Sequence, residues 1–160
     1  MMRTENWMGY DIRFIERDGE WWAILKDICD ALGLQVGKVS QRLDADMMLR
    51  VPVEVEVPSK HVDSQTFWML AVNENGVYEA LFASRRLEAR QFRKWTTTVL
   101  KKLRKHVGLE GYEVMRMADQ DVQDDIDHFL DDLFYDEETG QLMQSVTVQG
   151  GDVEQIPFEF

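Results

Sequence analysis

The residues of this sequence whose types and spacing could do chemistry are the cations between Ser84 and Val107. Nine lysines and arginines lie in that stretch with a single acid, Glu88. Such side chains bind the phosphate oxygens of a polyanion through charge-assisted hydrogen bonds. They are Arg85, Arg86, Arg90, Arg93, Lys94, Lys101, Lys102, Arg104 and Lys105. The stretch therefore predicts contact with nucleic acid, and a basic face that is simply solvated is the alternative.

One helix is predicted to carry these cations. At about 100° per residue, Phe92, Trp95 and three further apolar residues fall on one flank, and most of the cations fall on the other. Helices with this division bury the apolar flank. We therefore expect Phe92 and Trp95 to lie in a core and the cations to face water or a polyanion.

A second candidate for polyanion contact precedes this helix. Apolar spacing predicts a helix from about Ala23 to Leu32, a left-handed cap at Gly33 and a short second helix from about Val36 to Leu43. This layout resembles a helix-turn-helix. Its second helix would present three polar residues to base edges or phosphates, namely Lys38, Gln41 and Arg42. A plain helical hairpin that covers a sheet is the alternative.

The other patterns in the first 108 residues predict an antiparallel sheet. The predicted strands are Tyr10 to Phe14, Trp21 to Ile24, Leu49 to Val57 and Thr66 to Val72. An Asp18-Gly19 turn joins the first two as a hairpin, and Asn73 or Asn75 could cap a helix after the last. The expected fold class is α+β, with a small antiparallel sheet made of this hairpin and a second strand pair, packed with about four helices.

Charge divides the chain after Gly108. Residues 1–108 carry 17 Lys/Arg against 15 Asp/Glu, a net charge of +2, whereas residues 109–160 carry 1 against 15, a net charge of −14. We therefore expect a DNA-binding domain over 1–108 and an acidic C-terminal segment over 109–160. Helical apolar spacing predicts an amphipathic helix at about 119–134, and a turn and a strand could follow.

The acidic helix offers a second kind of surface. It could bind a protein partner or imitate the phosphates of DNA. The candidate partner-binding residues are Asp121, Asp124, Asp125, Phe129, Asp131 and Asp132. The segment could also fold onto the basic stretch and compete with DNA, or simply keep the protein soluble.

No set of residues predicts catalysis or a bound cofactor. Cys29 and the scattered His61, His106 and His128 lack the spacing of a zinc site, and the sequence has no phosphate loop or nucleophile elbow. We therefore expect a protein that is not an enzyme and uses no metal or other cofactor. No apolar run approaches the ~20 residues of a membrane span, no secretory signal is evident, and a single cysteine fits a reducing cytoplasm.

Four motifs, taken in order, resemble one known family. They are Gly19 to Trp22 (GEWW), Leu25 to Gly33 (LKDICDALG), Val72 to Tyr78 (VNENGVY) and Ser84 to Trp95 (SRRLEARQFRKW). Over about residues 8–108 they resemble the BRO N-terminal domain of phage and prophage antirepressors and of large DNA viruses. The resemblance implies an α+β domain associated with DNA binding, a role in transcription regulation and the cytoplasm of a bacterial host cell.

Two departures from the family pattern narrow what the resemblance implies. Members often have a proline after the positions of Val99 and Leu100, where this chain has Lys101 and Lys102, so one unbroken helix is expected. Many antirepressors also carry a separate folded C-terminal domain instead of a short acidic segment. The leading hypothesis is a transcriptional regulator that binds double-stranded DNA. The alternative is an interaction factor that binds a repressor or a host protein, and a homodimer is left open.

Overall fold

The structure, a computed structural model, describes residues 1–56, 58 and 64–159. The chain forms two compact units, Met1–Lys94 and Trp95–Phe160. Val57, which was predicted to end a strand, lies outside the described residues, and so does His61. Every helix in the described part of the chain is too short or too polar to cross a membrane.

The first unit is built on a five-stranded antiparallel sheet. Its strands are β1 (Met2–Trp7), β2 (Tyr10–Arg17), β3 (Glu20–Ile24), β4 (Met48–Glu56) and β5 (Ser64–Val72), in the order β1-β2-β3-β5-β4. The two predicted strand pairs are confirmed, and they join where Ala23 pairs with Val72 and Ile24 with Ala71. The edge strand β1 is an addition that the sequence patterns did not predict.

Two-residue turns connect the first three strands. Met8 and Gly9 have φ angles of 53° and 86°, and Asp18 and Gly19 have φ angles of 54° and 79°. Positive φ at both positions is the type I′ geometry, whose twist matches that of a β-hairpin. The first turn sets Trp7 opposite Tyr10, so these two side chains lie on the same face of the hairpin.

Helices of the first unit follow the predicted positions closely. They are α1 (Leu25–Leu32), α2 (Val36–Ser40), α3 (Glu74–Ala83) and the N-terminal part of α4 (Leu87–His106), with a 3₁₀ turn at Ala45–Met47. Gly33 ends α1 with a φ of 67°. Asn73 caps α3 by accepting a hydrogen bond from the Gly76 amide at 3.0 Å. Because α2 ends at Ser40, before the predicted Leu43, Gln41 and Arg42 lie in the turn that follows it.

The core of the first unit lies on both faces of the sheet. One cluster packs Ile12 and Val72 of the sheet against Leu25 and Ile28 of α1. A smaller cluster forms around Ile24, which neighbours Ala23 in β3 and so points to the opposite face. All four helices of the first unit contribute residues to the first cluster and so cover one face of the sheet, whereas the second cluster consists of strand residues.

The aromatic flank predicted for α4 is confirmed for Phe92 and wrong for Trp95. Phe92 stacks on Tyr78 and Phe82 of α3, with 6.0 Å between ring centres in each pair. Trp95 is 62% exposed. Three residues turn a helix by about 300°, so the Trp95 side chain leaves α4 about 60° away from that of Phe92.

The second unit contains the rest of α4, a 3₁₀ helix, α5 and a second antiparallel sheet. The elements are the 3₁₀ helix Gly111–Ala118, α5 (Gln120–Asp131), β6 (Leu133–Asp136), β7 (Gln141–Thr147) and β8 (Val153–Pro157). Leu103 and Val107 of α4 pack against a buried cluster that contains Val122 and Ile126 of α5. The division between the two compact units falls inside α4, between Lys94 and Trp95, and the change of function expected after Gly108 from charge stays a prediction.

The α+β fold class is confirmed. The acidic helix is present as α5, and the strand predicted after the turn, at Gln144 to Gln149, overlaps β7, which ends at Thr147. The three-stranded sheet was not predicted, because its short strands β6 and β8 carry few β-branched residues and lack a clear alternation of polar and apolar positions.

Candidate nucleic-acid interface

A cationic cleft lies at the end of α1, between the α1–α2 turn and the joint that links α3 to α4. It has a volume of about 530 Å³. The cleft is lined by four of the predicted site residues, Lys38, Arg42, Arg85 and Arg86, together with neutral residues such as Gln35. No carboxylate lines it among the described residues. The fold thus gathers cations from two stretches that lie more than forty positions apart in the sequence.

A buried hydrogen bond fixes the two sides of this cationic cleft. The Ser84 hydroxyl donates to the Leu32 carbonyl at 2.9 Å, and Ser84 is fully buried. The Arg86 amide in turn donates to the Ser84 hydroxyl oxygen at 3.2 Å. Since the last carbonyls of a helix have no partner within it, Ser84 both satisfies the end of α1 and positions the start of α4.

Arg86 is held by the protein itself. Its Nη1 donates to the Ala31 carbonyl at 2.8 Å. The guanidinium carbon also lies 5.6 Å from the Trp7 ring centre and 5.4 Å from that of Tyr10, and Nε is 3.6 Å from a Glu88 carboxylate oxygen. These contacts bind the first hairpin to α1 and α4, so we remove Arg86 from the cations expected to bind phosphate.

Two further arginines of the predicted set also bond to carbonyls near helix ends. Arg93 Nη1 donates to the Phe82 carbonyl at 2.7 Å, near the end of α3. Arg104 donates to the Leu109 carbonyl, just beyond the end of α4, and is only 8% exposed. Cations are favoured at helix C-termini, where carbonyls and the helix dipole present negative charge. We therefore assign Arg104 a structural role and no longer propose it for the interface, whereas Arg93 is exposed and keeps other donors.

The remaining predicted residues have exposed side chains. In the first unit they are Lys38, Gln41, Arg42, Arg85, Arg90 and Lys94, and in the second unit Lys101, Lys102 and Lys105. Arg90 and Lys94 lie four residues apart on α4 and so share a helix face, and Lys101 and Lys105 do the same. The exposed cations of the first unit thus lie both in the cationic cleft and on one face of α4.

The acidic helix α5 is held to the second unit by its apolar side. Val122, Ile126 and Phe129 are buried. The Phe129 ring centre lies 3.9 Å from that of His106 and 5.1 Å from that of Phe158. Phe129 was predicted to contact a partner, but its ring is buried inside the unit, so we no longer propose it as a contact residue. The predicted acids remain exposed, namely Asp121, Asp124, Asp125, Asp131 and Asp132.

The contact between α5 and α4 is apolar, not ionic. Among the described residues of the second unit, no ion pair within 4.0 Å joins an acid to Lys101, Lys102 or Lys105. The acids near the start of α5 instead surround Arg116, which lies 3.6 Å from Asp119. The segment therefore lies beside the basic residues of its own unit without neutralising them by direct pairing.

Two groups capable of acid-base chemistry, Cys29 and His128, belong to different units of the chain. Burial raises the pKa of the Cys29 thiol to about 11, so the thiol is protonated at neutral pH. The Asp124 carbonyl lies 2.8 Å from Nδ1 of His128 and raises the pKa of that exposed imidazole. In the part of the chain that the structure describes, no three His, Cys, Asp or Glu residues are grouped as metal ligands would be.

Sequence reasoning missed Trp7 and Tyr10, the rings that hold Arg86. A signal for them exists in the pair of aromatic residues that flank Met8-Gly9, since a residue followed by glycine between two alternating runs is typical of a hairpin turn. The local pattern could predict the hairpin. It could not predict which distant cation the two rings would meet.

Comparison with known families gives one match. The model of the BRO family, N-terminal domain, matches residues 11–102. The match covers more than half of the chain and includes every residue that lines the cationic cleft. Neither the curated proteins nor the solved structures gave a match.

Proposed function

The chain belongs to the BRO family through its N-terminal domain, and from that premise we propose that it is a phage- or prophage-type transcriptional regulator that binds double-stranded DNA. The family is associated with DNA binding. The observation that carries the proposal is the convergence of Lys38, Arg42 and Arg85 on one cleft that no described carboxylate lines. Three cations so arranged suit the phosphates of a DNA backbone.

We assign different DNA contacts to the α2 region and to α4. α2 has only five residues, which is short for a helix that reads bases along the major groove. We therefore assign Lys38 and Arg42 to phosphate contacts. Gln41, whose amide can both donate and accept, is the predicted residue best suited to a base edge. Arg90 and Lys94 would extend the phosphate contacts along α4.

A charge-reversal experiment on the full chain tests this proposal. In Lys38→Glu with Arg42→Glu, repulsion replaces attraction at the cleft, and we expect DNA affinity to fall by at least about tenfold at low salt. The matched control is Arg17→Glu with Arg50→Glu, which makes the same change in net charge at exposed sites of β2 and β4. The measurement is a fluorescence titration of labelled duplex DNA at two salt concentrations.

The control decides how the result is interpreted. Equal losses in both double variants would mean that net charge alone attracts DNA, and the cleft would lose its assigned role. Unchanged affinity in the Lys38→Glu with Arg42→Glu protein, with circular dichroism unaltered, would reject the proposal.

A second candidate function is binding of a repressor or host protein through the acidic segment. The observation that favours it is the row of exposed acids on α5, whose apolar side is buried against the rest of the second unit. Asp124→Lys with Asp131→Lys should abolish capture of such a partner and leave the affinity of the cationic cleft for DNA unchanged. If the same change alters DNA affinity and partner capture alike, the two functions do not reside on separate surfaces.

A further inference from the structure

A second pocket of the first unit is almost wholly apolar. It lies between the β1–β2 hairpin, α1 and α3 and has a volume of about 300 Å³. Its apolar lining consists of Trp7, Ile12, Phe14, Ile28, Ala31, Leu32, Val77 and Leu81. Two polar residues, Glu5 and Asn6, complete it. Pockets of this size with an apolar lining and a few polar groups are typical of small-molecule sites.

The walls of this apolar pocket are fixed by contacts already described. Trp7 lies against the guanidinium of Arg86, and the carbonyl of Ala31 accepts the Arg86 hydrogen bond. Both pocket residues are thereby tied to the start of α4. A ligand would meet these two walls in place and would not have to order them, which lowers the cost of binding.

The size and lining of the apolar pocket define the class of ligand. An apolar cavity of about 150 Å³ suffices for benzene and stays dry, so a pocket of about 300 Å³ has room for a bicyclic aromatic molecule. Trp7 and Phe14 offer ring faces and edges for such a molecule. Water, by contrast, would find few hydrogen-bond partners on this lining.

Charge narrows the class further. Glu5 is the ionisable group that lines the pocket, and it shares the Ile12 face of the sheet, because Glu5 pairs with Ile12 across β1 and β2. Its carboxylate contacts Arg3, and the two side chains are 52% and 68% exposed. An exposed ion pair contributes little stability, so a ligand ammonium group could replace Arg3 beside Glu5. An anionic ligand would instead face the carboxylate.

We propose that this pocket binds a small aromatic amine, with the ring system among Trp7, Phe14 and Leu81 and the ammonium group beside Glu5. The site goes beyond the proposed DNA-binding function, because Leu32 is the one lining residue that it shares with the cationic cleft. Amine binding is measured in the absence of DNA, so a failure to bind the amine and a failure to bind DNA are separate results.

The test uses the full chain with tryptamine and indole-3-acetate, which share a ring system and differ in charge. Isothermal titration calorimetry should give saturable binding of tryptamine, at least about tenfold tighter than indole-3-acetate, because a charge-assisted hydrogen bond distinguishes them. Glu5→Gln should remove that preference. Glu20→Gln, an exposed acid on β3, makes the same change in net charge and should keep it.

A second variant tests the pocket volume. Val77→Phe places a ring in the pocket and should lower the affinity for tryptamine by at least about tenfold, since the added ring occupies the space of the ligand. If that variant does not fold, the Glu5→Gln and Glu20→Gln pair still decides. No saturable binding of tryptamine at millimolar concentration, or equal binding of the amine and the acid, would overturn the proposal.

Discussion

Arg86 and Trp7 form the contact that ties the edge of the sheet to the start of α4. The guanidinium carbon lies 5.6 Å from the Trp7 ring centre, while Nη1 donates to Ala31. Sequence neighbours thus have unlike roles, because both arginines line the cationic cleft but Arg85 is exposed and Arg86 is held by protein contacts. Two adjacent arginines that look interchangeable in the sequence should respond differently to mutation.

Arg86→Ala should lower the free energy of unfolding by about 2 kcal/mol. The loss combines a hydrogen bond from a charged donor with two cation–π contacts at a partly exposed site. Arg85→Ala is the matched control and should change stability by less than about 0.5 kcal/mol. Urea denaturation measures both. In the DNA titration, Arg85→Ala should lose more affinity than Arg86→Ala. Equal losses of stability in the two variants would contradict the assigned role of Arg86.

Gly76→Ala should destabilise the first unit by about 1–3 kcal/mol. A Cβ atom at Gly76 would lie 2.8 Å from Val72 Cβ, and Val72 is fully buried in the sheet. Gly37→Ala in α2 is the matched control, because a Cβ there meets nothing within 4 Å and alanine favours helix. Thermal denaturation followed by circular dichroism should give a lower Tm for the first variant and an unchanged or higher Tm for the second.

The pH dependence of stability should carry a contribution from Cys29. Burial raises the pKa of its thiol from 9.0 to about 11, so between these values the unfolded chain releases a proton that the folded chain retains. The contribution of the thiol to the free energy of unfolding is fully present below pH 9 and is lost as the pH rises towards 11. The difference in urea midpoint between the wild type and Cys29→Ala should therefore shift in favour of the variant across this range. A constant difference would contradict the raised pKa.

Arg104→Ala should destabilise the second unit by about 2 kcal/mol, since it leaves the Leu109 carbonyl without its charged donor. Lys105→Ala, one residue on and exposed, should change stability by less than about 0.5 kcal/mol. If Lys105 contacts a DNA phosphate, its variant should instead reduce the salt dependence of binding by about one unit of slope. Loss of DNA affinity in a stable Arg104→Ala protein would restore Arg104 to the interface.

The parts of this fold that were predictable depend on local interactions. Gly33 acts through its own backbone conformation, and Asn73 acts through a side-chain oxygen that accepts from the amide of Gly76, three residues on. Sequence alone could therefore predict a cap at Gly33 and at Asn73 or Asn75. The strand pairs β2–β3 and β4–β5 were equally accessible, because each joins neighbouring segments with clear alternation. The edge strand β1 was missed because four of its six residues are polar and all but Trp7 are exposed.

The parts of the candidate site that were not predictable depend on tertiary contacts. Nothing in the spacing of Arg86, Arg93 and Arg104 distinguishes them from Arg90, yet each meets a carbonyl near a helix end, while Arg90 is exposed. Likewise, the apolar face of a helix indicates that Phe92 and Trp95 are candidates for burial, but Phe92 stacks on two rings of α3 while Trp95 is 62% exposed. The density of cations in the sequence predicted a binding surface, but tertiary packing determines which of those cations are exposed to a ligand.

The continuity of α4 across the boundary between the two units should affect the rates of amide hydrogen exchange along the helix. Residues on both sides of the boundary at Lys94 and Trp95 share one hydrogen-bonded helix. When the second unit opens, Leu103 and Val107 lose their packing and the helix should fray backwards from His106. Amide hydrogen exchange should therefore be fast from Lys101 to His106 and slow from Ala89 to Arg93, where α3 holds the helix. Uniform exchange along α4 would instead mean that the whole helix opens as one cooperative element.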